Sequence, residues 1–450
     1  MRGLVPPRFF EKRKEVACMP ATKENTGNII RKFFIATCLF LLASILVAPD
    51  KDQLISGLLK IWTTPTQLTT DFFAIGGIAA TLLNMALTMG LCTVLTFLPG
   101  SAPKGVTVAA WLLTMGFTSW GINVVNILPI FFGIFVYSLI KKKPFGSFHD
   151  IAMFSTALCP LISELMLRYP NEEVQGFTLL GIVLAVVVAV VIAVLTPAFA
   201  AHSPNVHKGF NLYSAALPAG VLGFFFNALL YKTLGNTTPA IKATLHEGAP
   251  GFVRGFAVVY FVLCIVAGYF LSGKTFSGYK ALVKDTGHKA NFVDSYGIGT
   301  TIMNIGVYGL LITAYYVLTG APATGVTLGI TFCMVCFGAN GSHPLNVWPI
   351  MVGYVLASFV GVNPVSAQAI AVGLCYSSGL APIVGVYGWP FGIIGGIAHY
   401  SLVTSVPALH GGFCLYNGGF CSIFIAMLLV PQLEAFCKTK AERKQLKAGK

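Results

Sequence analysis

Charge is scarce in this 450-residue chain: only 10% of its residues are Asp, Glu, Lys or Arg, whereas a soluble domain carries about 25%. A chain so poor in charge cannot cover its surface with groups that water solvates, which argues against a soluble protein. Acidic residues are the scarcest, with 15 Asp and Glu against 29 Lys and Arg. The chain also lacks G-x-S-x-G, H-E-x-x-H and Walker patterns, which disfavours pump ATPases and intramembrane metalloproteases.

Long apolar runs take the place of charge. Hydrophobic residues make up 56% of the chain, and Phe33–Ala48, Phe177–Ala201 and Phe256–Leu271 contain no charged residue. A membrane-spanning helix needs about 20 apolar residues. The composition therefore predicts an all-α integral membrane protein whose main partner is the lipid bilayer. The net charge of +14 lies in short loops and tails, so we do not read it as a nucleic-acid surface.

The 11 cysteines mostly lie within apolar runs, which predicts free thiols. Cys333 and Cys336 form a C-x-x-C pattern, but no second pair accompanies it. We interpret this pair as helix packing, because a buried thiol behaves as a small hydrophobic group. The sequence predicts no metal site and no cofactor.

The chain contains an internal repeat. When the sequence is shifted by 220 positions, about 20 residues between 71 and 138 coincide without a gap, more than apolar composition alone would produce. A second match follows at a shift of 203, where the pattern H-x-G-F-x-L-Y occurs at His207–Tyr213 and at His410–Tyr416. These matches predict two tandem copies of one unit.

Each copy holds seven apolar segments, about 14 in all, and several are short and rich in Gly and Pro. We expect some of these to be half-helices or re-entrant hairpins. The predicted organisation is a cytoplasmic tail (1–31), a first repeat (32–251), a second repeat (252–431) and a basic cytoplasmic tail (432–450). The sequence leaves open whether translation starts at Met1 or Met19.

Seven membrane crossings in the first repeat, an odd number, give the second repeat the opposite orientation in the membrane. The distribution of Lys and Arg agrees with this inverted orientation. Placing the N-terminus inside puts 23 of the 29 Lys and Arg in inside segments. Lys141-Lys142-Lys143 follows the fourth segment of the first repeat, whereas the matching residues 361–363 are uncharged. Charges that change sides while the sequence repeats are typical of inverted topology. We predict that both termini are cytoplasmic.

Polar residues in apolar segments are costly and therefore mark candidate sites. A polar residue that occurs at the same position of both repeats is a better candidate for a binding site, because the sites of inverted-repeat proteins lie at the interface of the copies. The predicted substrate-binding residues are Asn84, Asn304, Asn126, Asn346, Pro129, Pro349, His207, His410, Tyr213 and Tyr416.

We expect the asparagines near the bilayer midplane and the histidines nearer two cavity mouths. Asn126 and Asn346 belong to an N-x-x-P-I-x-x-G pattern, in which the proline breaks the helix and the Asn caps the freed backbone. Alternatives remain open at this stage. Asparagines can tie helices together, the prolines can be packing kinks, and the tyrosines can belong to an interfacial belt.

Three other polar groups receive a weaker assignment. Glu164 and Arg168 are spaced as an i, i+4 ion pair, which we take as the explanation of the buried carboxylate. His343 and His399 have no histidine at the matching place in the first repeat, so a proton relay has little support.

The paired H-x-G-F-x-L-Y motifs resemble an uncharacterised family of bacterial membrane proteins of about this length. The resemblance covers most of the chain from about residue 30 and implies the bacterial cytoplasmic membrane, but no substrate. A shorter likeness, through Gly209-Phe210-Asn211, is to urea transporters and similar duplicated channels. The second repeat departs from that phrase at Cys414.

We therefore expect a transporter or channel, not an enzyme, for a small neutral polar solute, with or without ion or proton coupling. Alternating access between inverted repeats is the expected mechanism, by analogy at the level of the fold. The alternative is a membrane-embedded enzyme acting on a lipid or isoprenoid. It would need His207, His410 and Glu164 to converge beside a lipid-open groove. Homo-oligomerisation is left open.

Overall fold

The structure, a computed structural model, describes residues 23–68, 70–241, 246 and 248–448. Within that part of the chain every regular element is a helix, so the predicted all-α class is confirmed. The first helix begins at Lys23, inside the stretch predicted as the N-terminal tail. The alternative start, Met19, lies outside the described residues.

Helices follow one another along both repeats. The first half contains α1 (Lys23–Ile45), α2 (Leu54–Thr63), α3 (Phe72–Gly76), α4 (Ile78–Leu95), α5 (Gly105–Phe117), α6 (Val124–Ile140), α7 (His149–Ser155), α8 (Cys159–Leu167), α9 (Leu179–His207) and α10 (Ala216–Asn227). The second half contains α11 (Pro250–Leu271), α12 (Ser277–Leu282), α13 (Phe292–Tyr296), α14 (Ile298–Thr319), α15 (Gly325–Val335), α16 (Pro344–Ser358), α17 (Gln368–Ser377), α18 (Ala381–Tyr387), α19 (Trp389–Val403), α20 (Val406–Leu409), α21 (Asn417–Phe436) and α22 (Lys440–Ala448).

In the described part of the chain eight helical stretches are long and apolar enough to cross a membrane, and the chain is a multi-pass membrane protein. Large apolar side chains point outward, as Leu179 does with 80% of its surface exposed, whereas Asn84 and Asn304 are fully buried. That reversed distribution suits lipid as the surrounding solvent. All 14 predicted segments contain helix, but only eight reach spanning length.

Two of the predicted segments that do not reach spanning length are the short helices α5 and α15. α5 has 13 residues and α15 has 11, which makes them about 20 and 17 Å long. Neither can cross a hydrocarbon core about 30 Å thick. The structure therefore shows short apolar helices in these Gly-rich segments, and the expectation that they are half-helices in the membrane stays a prediction.

α5 and α6 form a helical hairpin, which we call the first hairpin, with its tip at residues 118–123. His149, at the start of α7, lies 3.2 Å from the Thr107 hydroxyl and 3.4 Å from that of Ser101. The residues before α5 and after α6 therefore lie together. In the second hairpin, α15 and α16, the open end is held likewise, because Thr324 donates to the Gln368 side chain at 2.7 Å.

The two hairpins pack side by side along α5 and α15. The Ser119 hydroxyl donates to the Gly325 carbonyl at 2.7 Å, and the Cys333 thiol lies 3.5 Å from the Leu113 carbonyl. Residue numbers rise along one helix as they fall along the other, so α5 and α15 are antiparallel. The tip of the first hairpin consequently lies at the open end of the second.

Glycines make this antiparallel contact possible. A Cβ atom added at Gly116 would lie 2.3 Å from the Gly329 carbonyl oxygen and 2.4 Å from the Cys333 sulfur. Backbone is in contact with backbone here, so a neighbouring side chain cannot move aside to make room. Gly90, in the middle of α4, has nothing within 4 Å of the same added atom.

We predict that Gly116→Ala destabilises the protein by about 1–3 kcal/mol, because the methyl group forces α5 and α15 apart. Gly90→Ala is the matched control and should be neutral or stabilising by up to about 1 kcal/mol, since alanine restricts the unfolded chain. Thermal unfolding of the purified variants in one detergent measures both. Equal midpoints for the two variants would contradict the close packing of α5 and α15.

Candidate functional site

Asn84 and Asn304 fasten the hairpin tips to the long helices α4 and α14. The Asn84 amide donates to the carbonyls of Thr118 and Ile122 at 2.8 and 3.0 Å. The Asn304 amide makes the equivalent bonds in the second repeat, both at 2.9 Å. Both N–H groups of each amide thus donate to carbonyls in a hairpin tip, which have no partner within the helices that end there. These contacts favour the helix-tying role over a direct contact with solute.

Asn126 and Asn346 cap the second helix of each hairpin. The Asn126 side chain accepts from the Asn123 N–H at 2.9 Å and donates to the Gly121 carbonyl at 2.9 Å. Asn346 repeats both bonds. The capped groups precede the helix, so the expectation that these asparagines cap backbone freed by Pro129 and Pro349 is wrong. Both prolines lie inside α6 and α16.

The four asparagines do not converge. Asn84 holds the tip beside Gly325, whereas Asn304 bonds Gly338, farther along the same stretch of chain. At 1.5 Å per residue these two points are about 20 Å apart. The expected cluster around one midplane site is therefore not formed. The substrate-binding assignment of these residues stays a prediction.

The H-x-G-F-x-L-Y motifs link the two repeats by exchange. The Leu212 N–H donates to the Gly379 carbonyl at 3.1 Å, and the Leu415 N–H donates to the Ala157 carbonyl at 2.9 Å. Gly379 lies in the 3₁₀ turn between α17 and α18, and Ala157 lies in the one between α7 and α8. Each motif therefore completes the hydrogen bonding of an interrupted helix in the other repeat.

The motif tyrosines are buried at the centre of this exchange. Tyr213 is 1% exposed, and its hydroxyl lies 3.3 and 3.2 Å from the carbonyls of Cys333 and Cys375. Tyr416 is fully buried, and its hydroxyl has no hydrogen-bond partner among the described residues. An interfacial belt requires exposure at the membrane surface, so that alternative is wrong for both residues.

The motif histidines lie at opposite ends of the fold. His207 closes its own motif, with its ring 3.0 Å from the Ser214 hydroxyl, and its neighbour Lys208 meets His288 in the connection before α13. His410 packs on Phe420 at 5.2 Å; neither ring nitrogen reaches hydrogen-bond geometry among the described residues, although the Gly220 backbone is near. The two histidines therefore do not form a shared site, and their expected place at two cavity mouths stays a prediction.

Glu164 is explained by its ion pair, as predicted. Its carboxylate lies 2.7 Å from Arg168 and accepts from the Tyr231 hydroxyl at 3.2 Å. His343 and His399 bond the carbonyls of Asp285 and Gly418, both at 2.9 Å. These contacts give the weaker candidates structural roles.

The cysteines of the described part are free, including the buried pair Cys333 and Cys336. Among the described residues no group of three His, Cys, Asp or Glu side chains could hold a metal ion. A cavity of about 30 Å³ lies beside the start of α15, between Thr313 and Thr331. That volume suits a water molecule and not an organic solute.

Buried polar atoms without partners collect in the second repeat. We call Asn304, Tyr308, Ser342, Ser378 and Tyr213 the polar chain. Among the described residues no hydrogen bond of good geometry reaches the Asn304 amide oxygen or the hydroxyls of Tyr308 and Ser342. The Tyr308 hydroxyl faces Ser342 and Ser378, and the Ser378 hydroxyl lies 3.4 Å from that of Tyr213. Such buried groups usually have partners.

The first repeat keeps only part of the polar chain. The positions that match Tyr308 and Ser342 hold Thr88, a buried hydroxyl that also has no partner among the described residues, and the apolar Ile122. The amide oxygen of Asn84 is satisfied, because Trp62 donates to it at 3.2 Å. A search for polar residues that occur in both repeats misses Tyr308 and Ser342, because these two positions differ between the repeats.

Asp71 is a second site residue that pattern matching missed. It is fully buried, and its carboxylate accepts from the N–H groups of Phe73 at 2.9 Å and Gly325 at 3.1 Å. Burial raises the pKa of this carboxyl to about 7, although backbone N–H groups act in the opposite direction. The matching residue of the second repeat is Asn291, an amide that cannot ionise.

Comparison with known proteins gives a family without a function. A family model described as "Protein of unknown function (DUF1576)" matches residues 50–232 and 271–435, which is more than half of the chain. The match agrees with the resemblance of the motifs to an uncharacterised family. No curated protein and no solved structure matches the chain.

We predict opposite effects for two neighbouring substitutions in α14. Asn304→Leu should cost about 2–4 kcal/mol, because it leaves two buried carbonyls without donors. Tyr308→Phe removes a hydroxyl that makes no hydrogen bond of good geometry and should be neutral or stabilising by about 1 kcal/mol. Thermal unfolding of both variants in detergent tests this. A large loss of stability in Tyr308→Phe would mean that its hydroxyl is bonded in the folded protein.

Proposed function

The chain belongs to the DUF1576 family of proteins of unknown function, and we propose from its geometry that it transports a small neutral polar solute across the bacterial cytoplasmic membrane. The observation that carries the proposal is the antiparallel contact of α5 and α15. Two hairpins that repeat in sequence meet with their tips pointing in opposite directions. This supports an inverted arrangement of the two repeats.

Inverted repeats provide a physical route to alternating access. One unit in two orientations has two conformations of similar energy, and exchanging them opens the protein to either side. The hairpins are suited to that movement, because their half-helices end within the protein. The exchanged motif contacts, Leu212 with Gly379 and Leu415 with Ala157, would carry a change from one repeat to the other.

The chemistry of the polar chain supports a neutral solute. It offers an amide oxygen and several hydroxyls but no charged side chain. A bound solute would donate a hydrogen bond to Asn304, which has only an acceptor left, and could both donate to and accept from Tyr308 and Ser342. The proposed site keeps Asn304 and Tyr213 from the sequence prediction and adds Tyr308, Ser342 and Ser378.

The alternative, an enzyme acting on a lipid or isoprenoid, has no observation in its favour. It required His207, His410 and Glu164 to share a groove. The two histidines lie at opposite ends of the fold, and Glu164 is paired with Arg168. Oligomeric state is not part of the proposal.

Topology is the first test. We expect both termini and the connection 273–291 in the cytoplasm, because Lys and Arg concentrate there. Green fluorescent protein fused after Lys284 or Lys450 should fluoresce, and alkaline phosphatase at the same sites should be inactive. Phosphatase fused within 234–241 should be active. An active phosphatase after Lys284 would contradict the inverted arrangement.

Uptake is the second test. Purified protein in proteoliposomes should admit at least one radiolabelled neutral solute, from a panel including urea, glycerol and small amides, faster than protein-free vesicles. Ser342→Ala should slow that uptake about tenfold, the effect of one lost hydrogen bond of about 1.4 kcal/mol. Gly90→Ala is the control and should keep the wild-type rate. Uptake that Ser342→Ala leaves unchanged would contradict the proposed site.

A further inference from the structure

Asp71 occupies the contact between the two hairpins. Its carboxylate meets the first N–H group of α15, at Gly325, and the same short stretch carries Phe72, whose N–H donates to the Ser119 carbonyl in the first tip at 3.2 Å. One residue therefore touches the open end of the second hairpin beside the tip of the first. The carboxylate is wholly enclosed by protein.

The two repeats build this contact alike but with different chemistry. A Cβ atom added at Gly325 would lie 2.5 Å from an Asp71 carboxylate oxygen, and one added at Gly105 would lie 2.5 Å from the Asn291 amide oxygen. The residue before α3 thus contacts the glycine that starts α15, and the residue before α13 contacts the glycine that starts α5, so each contact joins one repeat to the other. Only in the first repeat is the contacting group itself ionisable; Asn291 is an amide that bonds the exposed Asp294 side chain at 2.7 Å.

We infer that Asp71 is a proton-binding site. With the proton bound, the start of α15 stays packed against α3, which we call the closed form; when the proton is lost, the start of α15 separates from α3, which we call the open form. This deepens the proposed function by naming the proton as the coupling ion. The inference concerns the protein alone, however, and its test requires no solute.

The sign follows from linkage. In the closed form burial raises the pKa of Asp71 from its ordinary value of 3.8 to about 7. In an open form water reaches the carboxyl and its pKa returns toward the ordinary value. The closed form therefore binds the proton more tightly, and a rise in pH favours opening. Between pH 6 and pH 8 the open fraction should increase about tenfold.

Few other titratable groups face this carboxyl. α3, the first tip and the connection 64–70 carry no charged side chain, and the N-terminal half of α15 carries none. The backbone of His246 also bonds Asp71, and its side chain is exposed. A pH effect at the start of α15 that disappears with Asp71 is therefore assigned to Asp71 and not to His246.

Hydrogen–deuterium exchange of the full-length protein in detergent tests the inference. Exchange rates are corrected for the intrinsic pH dependence, and the peptide covering 320–330 is followed. In the wild type the protection of this peptide should fall about tenfold from pH 6 to pH 8, whereas Asp71→Asn should stay protected at both. Constant protection in the wild type, or an unchanged pH effect in Asp71→Asn, overturns the inference.

If Asp71→Asn does not fold, Asp71→Ser replaces it, because serine keeps an acceptor for the Phe73 N–H and cannot ionise in this range. Its peptide 320–330 should show no pH-dependent exchange; a pH effect that persists in Asp71→Ser overturns the inference. The result is separate from that of the uptake test. A protein that shows the pH effect but moves no solute keeps the proton site and refutes transport, and the reverse outcome refutes the proton site alone.

Discussion

Backbone that leaves helical geometry inside a membrane must find its hydrogen-bond partners within the protein, because lipid offers none. This constraint explains the position of most buried polar side chains. Asn84 and Asn304 each supply two donors to a hairpin tip, and Asn126 and Asn346 cap the helices that leave those tips. Residues that look like a binding site in the sequence are first of all the parts that make half-helices stable.

The same constraint joins the two repeats. The 3₁₀ turns within the interrupted helices leave carbonyls free, and each receives its donor from the motif of the other repeat, Leu212 for Gly379 and Leu415 for Ala157. Neither repeat can complete its own hydrogen bonding. The two repeats are therefore one folding unit, although the sequence reads as two copies.

The two repeats share a backbone plan but differ in chemistry, and the differences mark the proposed function. The residue of the first repeat that matches Tyr308 is Thr88, and the residue of the second repeat that matches Asp71 is Asn291. Trp62 satisfies the amide oxygen of Asn84, whereas the matching residue of the second repeat, Leu282, is apolar and leaves Asn304 with a free acceptor. The repeated asparagines hold the hairpin tips in both repeats, whereas Tyr308, Ser342 and Asp71, which we propose for the solute and the proton, occupy positions at which the repeats differ.

The sequence by itself determined the membrane class, the all-α architecture, the repeat and the presence of short apolar segments, because composition and run length decide which segments lipid accepts. It also gave the Glu164–Arg168 pair, since i, i+4 spacing on one helix is local. Only the tertiary structure decided that the asparagines hold tips and that the histidines lie apart. It alone showed that the Tyr308 hydroxyl makes no hydrogen bond of good geometry and that Asp71 reaches Gly325, a residue 254 positions away. Such contacts depend on how distant helices pack, and no local pattern encodes that packing.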